Sequence, residues 1–157
     1  MDKDSQILEI YKKYCDMKEN FTDRTFATNK FYLLLEIVLL VILAVLVTLE
    51  VNTLFIIIFS ALGILISLLW WLNHDAYLYL IKIKYRDVIE KIEEQLPVAP
   101  ATMEYKASKE DRARKKMFVF SDVHKAISFT ILVVFFGMFL YYLVPFVTLI
   151  IVTGMAQ

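Results

Sequence analysis

Few side chains in this chain are of a type and spacing that could do chemistry. Glu36 is the ionisable residue inside a long apolar run, and a carboxylate at membrane depth is a functional candidate by default. It could pair with a donor on an adjacent helix, or form part of a ring of carboxylates around an oligomer axis that takes up protons or cations. His74 follows the Trp70-Trp71 pair and is itself followed by Asp75, and His124 precedes the last apolar block; an imidazole at such a boundary can sense pH. Cys15 is the sole cysteine, so no disulfide forms within the chain. Two histidines and one cysteine without ligand spacing make no metal site, and no metal or cofactor is expected. A phosphate-binding glycine loop, a zinc-peptidase helix and a nucleophile elbow are all missing, so the chain does not read as an enzyme.

The elements that must position these residues are apolar helices. Of 157 residues 59% are hydrophobic, mean hydropathy is +0.60, and the apolar residues fall in three blocks, 31–49, 54–72 and 127–152. About 20 residues of helix cross the ~30 Å hydrocarbon layer, so each block predicts a transmembrane helix in an all-α membrane protein. Formal net charge is zero, which argues against nucleic acid as a partner. All 17 Lys and Arg lie in 1–30 and 73–126, none in the 50–53 turn or after the third block. Cations flanking spans stay inside, so the N-terminus is expected in the cytoplasm and the C-terminus outside. Phe31, Tyr32, Trp70 and Trp71 read as the aromatic belt of the inner interface. Ser60, Gly63 and Ser67 form a small-residue groove where another helix can approach.

Outside the spans, Ile7, Ile10, Tyr11, Tyr14, Met17 and Phe21 recur at helical spacing and predict an amphipathic N-terminal helix, with Thr22 or Asp23 capping a second helix into the first span. From Leu54 to Leu96 there is no Pro and one Gly, so the second span is expected to extend into a long cytoplasmic helix. Its projecting part carries the seam Tyr77, Ile81, Tyr85, Val88, Ile92 and Leu96, which offers a face to the N-terminal helix or to a neighbouring subunit, while Glu93 and other charged residues take the remaining faces. Pro97 and Pro100 make a turn. Residues 117–120 could be a short strand or an interfacial anchor, and Ser121 or Asp122 caps the third span. Arg112, Arg114, Lys115 and Lys116 read either as ordinary positive-inside residues or as a grip on anionic lipid headgroups.

Tyr11-Lys12-Lys13-Tyr14, two spans, Trp70-Trp71, Lys84-Tyr85, Val88-Ile89, Ile92-Glu93, Leu96-Pro97, Pro100 and Glu104-Tyr105 occur here in one order, followed by a third span. This succession resembles the RipA family of small bacterial cytoplasmic-membrane proteins. Leu80-Ile81 and Ser121-Asp122 depart from the family's pattern. The resemblance implies a homo-oligomer, an octamer, whose cytoplasmic helices form a crown, with a role in envelope and lipid A balance and in intracellular growth. It implies as partners its own copies, the bilayer, and an envelope or lipid-synthesis protein. A non-catalytic scaffold is therefore the leading expectation, and an oligomeric channel or membrane-perturbing effector the alternative.

Overall fold

A computed structural model describes residues 3–81, 83, 87–115 and 120–155. The described residues form five α-helices and no strand: α1 (Lys3–Thr48), α2 (Thr53–Leu80), α3 (Asp87–Glu93), α4 (Pro100–Lys115) and α5 (Phe120–Met155). Three helical stretches, Ser5–Thr48, Thr53–Leu80 and Val123–Met155, are long and apolar enough to cross a membrane. The chain forms two compact units: a polar unit of Met1–Thr28 with Asn73–Val123, and a span unit of Asn29–Leu72 with His124–Gln157.

The expected helix start at Thr22 or Asp23 does not exist, because α1 runs unbroken from Lys3 to Thr48. The Thr22, Thr25 and Thr28 hydroxyls donate to the carbonyls of Lys18, Phe21 and Arg24 at 2.9, 2.9 and 2.8 Å. Hydroxyls satisfied one turn back leave these threonines as helix-interior residues, not caps. Over 54–96 the described residues give α2 as far as Leu80, π-helical Ile81 and Ile83, and α3 from Asp87 to Glu93. A π turn needs no Gly or Pro, so a search for breakers misses it. The turn at Pro97–Pro100 is present, and Pro100 opens α4, where its lack of an N–H and its fixed φ suit the first helical position. Of the expected strand or anchor, 117–119 lie outside the described residues, whereas Phe120 begins α5 and places Ser121 and Asp122 inside its first turn.

The α1–α2 hairpin of the span unit is closed by a Schellman turn. Val51 N–H donates to Leu46 O at 3.1 Å and Glu50 N–H to Val47 O at 3.2 Å, with Glu50 at φ 50°. Asn52 then caps α2, its Oδ1 accepting the Leu54 amide at 3.0 Å. Left-handed φ costs a side-chain-bearing residue about 1–2 kcal/mol, part of which Gly returns through a more flexible unfolded chain. Glu50→Gly is therefore expected to stabilise the hairpin by about 0.5–1 kcal/mol, seen as a higher melting temperature in detergent; a lower one would mean the Glu50 side chain contributes a contact.

The core of the span unit is Leu39, Leu43, Ile56 and Phe135, flanked by Leu40, Phe59 and Ile131. Lipid tails are as apolar as these side chains, so contact shape and polar links hold the helices together. Shape is clearest at Gly63. A Cβ there would fall inside the Phe135 ring, which is fully buried against the missing side chain.

Candidate functional site

The polar unit is organised by Glu93, the last residue of α3, only 2% exposed. Helix α4 begins after Ala99, which has no side-chain acceptor for the free amides of the first turn. Glu93 supplies it from outside the helix: Oε1 accepts the Ala101 amide and Oε2 the Thr102 amide, each at 2.8 Å. A carboxylate at a helix N-terminus also meets the positive end of the helix dipole. Oε1 accepts a further hydrogen bond from the Tyr11 hydroxyl of α1 at 2.8 Å. One carboxylate thus ties α1, α3 and α4 together. Burial alone would raise its pKa, but hydrogen bonds from the Thr102 hydroxyl, the Ala101 and Thr102 amides and Tyr11 outweigh burial and hold Glu93 below the usual carboxylate range. Tyr11 moves the other way, pushed up by burial first and then by its bonds to Glu93 and Cys15. An open groove of about 410 Å³ beside this knot is lined by Tyr11, Cys15, Lys18, Ile89, Ala101 and Glu104 among others.

The span unit has a second buried carboxylate. Glu36 is 0% exposed, and its Oε1 accepts the Ser67 hydroxyl at 2.6 Å. Ser128 of α5 donates to the Ser67 carbonyl at 3.3 Å, so a polar thread links α1, α2 and α5. Among the described residues Glu36 Oε2 and Ser60 Oγ have no hydrogen-bond partner. Nearer the start of the first block, Trp70 Nε1 donates to Asn29 Oδ1 at 3.0 Å, and the Trp70 ring stacks on Tyr32 with centroids 6.2 Å apart. Trp70 is 1% exposed, so it is an interhelical donor and not the lipid-facing belt residue expected from sequence; Trp71 is half-buried and meets Phe129 edge-on. Removing the acceptor should strand a buried N–H. Asn29→Ala is expected to destabilise the span unit by about 1–3 kcal/mol, measured by tryptophan fluorescence on heating in detergent, and no change would mean the indole finds another acceptor.

The sequence-derived candidates fall in different places. Glu36 and Ser67 are joined, Ser60 is fully buried on the same helix, and Gly63 lies under Phe135. In the seam, Tyr77 stacks on Phe21 of α1 at 5.2 Å, and Ile81, Val88, Ile92 and Leu96 are half-buried within the polar unit. Tyr85 and Lys116 lie outside the described residues, as do the side chains of Arg112, Arg114 and Lys115 on α4. Among the described residues no group of three or more His, Cys, Asp or Glu side chains is placed to hold a metal ion. Sequence reading missed the roles of Glu93, Asn29, Ser128 and Phe135. It had set Glu93 on a solvated face, and the available signal was Pro100 opening a helix whose preceding Ala99 cannot cap it.

Both carboxylates bind helices together. No curated protein and no solved structure gives a significant match to the chain. One family profile matches residues 8–144, from the first turns of α1 through the polar unit and deep into α5. With three apolar helices of membrane-crossing length and that match over most of its length, the chain belongs to the octameric membrane protein family (8xMP).

Proposed function

We propose that this chain is a subunit of a homo-octamer in the bacterial cytoplasmic membrane, with the N-terminus and polar unit inside and the C-terminus outside. The octamer acts as a non-catalytic scaffold, its cytoplasmic helices engaging an envelope or lipid-synthesis protein. Its role lies in envelope and lipid A balance and in intracellular growth, as the likeness to the RipA family implies. The observation that carries this reading is the extent of the family match: it includes the polar unit from residue 8 onward, the first two spans and the third as far as residue 144. Its surface supports the reading too, since the apolar side chains of Val98 and Met103 are left 61% and 64% exposed on the polar unit. Exposed apolar side chains on a polar unit suit a contact surface.

An ion-conducting role lacks its polar wall. Glu36, Ser60 and Ser67 are fully buried inside one subunit, and among the described residues the third span's outer face over 127–152 keeps only Thr130 and Thr148, whose hydroxyls are bonded one turn back, and the Tyr141 hydroxyl as polar groups. The test is the amount and acylation of lipid A in cells lacking the protein and in cells making only the Glu93→Ala form. Both should depart from wild type in the same direction, and unchanged lipid A after complete loss of the protein would remove the envelope role.

A further inference from the structure

Just before α1 enters the span unit and just after α2 leaves it, these two helices border a recess of about 230 Å³ within the polar unit. Liquid water takes about 30 Å³ per molecule, so the space exceeds a hydration site. Its lining runs from Thr28 and Asn73, the residues next to the span unit, to Phe21 and Leu80, roughly 10 Å further along each helix. The apolar blocks begin at Phe31 and end at Leu72, so the near end of the recess lies at the edge of the hydrocarbon. Headgroups add roughly 5–7 Å to each side of the ~30 Å hydrocarbon layer, and the recess therefore opens at headgroup depth.

The far wall is fixed by Tyr77, whose ring stacks on Phe21 with centroids 5.2 Å apart. Arg24 is the charged residue of the lining, and its guanidinium makes no hydrogen bond or ion pair with another described residue. The same holds for the Asn73 carboxamide. Carboxylates close in sequence lie elsewhere: Asp23 lines the groove beside the Glu93 knot, and Asp75 is not part of this lining. Thr25 and Thr28 complete the polar part. Their hydroxyl hydrogens go to the Phe21 and Arg24 carbonyls at 2.9 and 2.8 Å, which leaves their oxygens as acceptors.

The recess thus offers two planar donors to an anion and, beside them, two acceptors to hydroxyl groups. A guanidinium meets phosphate oxygens two at a time. A headgroup that carries its own ammonium finds no carboxylate among the lining residues.

We propose that this recess binds the headgroup of an anionic phospholipid, Arg24 and Asn73 donating to the phosphate and Thr25 and Thr28 accepting from hydroxyls of the headgroup, as phosphatidylglycerol would supply them. The source is the bilayer because the recess opens at the depth of lipid phosphates. The site is complete within one subunit, so it stands or falls apart from the octameric reading.

Native mass spectrometry of the full chain in detergent, titrated with phosphatidylglycerol or phosphatidylcholine, tests it. Phosphatidylglycerol should be held tightly, one per subunit, and phosphatidylcholine several-fold more weakly. Arg24 is exposed, so Arg24→Ala keeps the fold, and it should weaken phosphatidylglycerol about fivefold. Arg24→Lys keeps the charge without the paired geometry and should recover part of that loss. Lys30→Ala removes an exposed cation of α1 outside the lining and should leave the affinity unchanged. Equal binding of the two lipids, or equal losses in Arg24→Ala and Lys30→Ala, would overturn the site and leave unspecific attraction to the bilayer. Glycerol 3-phosphate in large excess should not displace the lipid; displacement would overturn the lipid source and assign the recess to a soluble phosphate ester.

Discussion

Replacing Glu93 by Ala is expected to unfold or badly loosen the polar unit, at a cost of roughly 3–5 kcal/mol. Hydrogen bonds to a charged group contribute about 1.5–3 kcal/mol each, and three part-buried donors, the Ala101 and Thr102 amides and the Tyr11 hydroxyl, lose their acceptor together. The cap of α4 goes with them, and Ala99 offers nothing in its place. Glu93→Gln keeps one acceptor oxygen and loses the charge, so about half that loss is expected. Hydrogen exchange of the α4 amides is the measurement: large acceleration in Glu93→Ala, intermediate in Glu93→Gln. Unchanged exchange in both would show that α4 does not depend on this carboxylate. The pH dependence has a definite sign. Glu93 is held below its ordinary value, so its contribution is present above the normal carboxylate range, near about 4.3, and fades as pH falls through the depressed value. Acid should therefore release α4 in the wild type, while Glu93→Gln, already weakened, should lose that part of the acid response.

The second large effect is expected at Gly63. Any side chain there collides with the Phe135 ring, which is fully buried and cannot swing into open space. Overpacking of this kind costs about 1–3 kcal/mol for a small intruder and more for a large one. Gly63→Ala should lower the melting temperature of the detergent-solubilised protein, and Gly63→Leu should prevent α5 from seating. The pairing makes a compensating change informative. Phe135→Leu alone leaves a void and loses ring contacts, but combined with Gly63→Ala it should recover part of the stability, so the double variant should be less damaged than the sum of the singles. Strict additivity would mean that these two residues do not touch.

The spans were legible in the sequence because a soluble core seldom uses uninterrupted apolar blocks of bilayer length, and counting such blocks needs no tertiary knowledge. Glu36 stood out for the same reason: a charge in a greasy block is visible one residue at a time. Its partner was not, since Ser67 appeared only as one of three small residues, and nothing in local spacing says which hydroxyl meets a carboxylate 31 positions away. Glu93 shows the limit more sharply. In a stretch dense with Glu and Lys, each acidic residue looks like solvated surface, and the one that turns inward is selected by the start of α4 and by a tyrosine 82 positions earlier. The stripe on α1 was read as one face, whereas the polar unit covers Ile7 and Tyr11 and leaves Ile10 and Met17 outside. Periodicity marks which residues want burial but not whether their own chain or another copy provides it.

The octameric scaffold is tested most directly by single-particle imaging of the complex extracted in mild detergent. Eightfold rotational symmetry is predicted, with density for the polar units gathered on the side of the membrane that holds the N-termini. A monomeric or dimeric particle, or one whose polar units lie on the side of the C-termini, would contradict it.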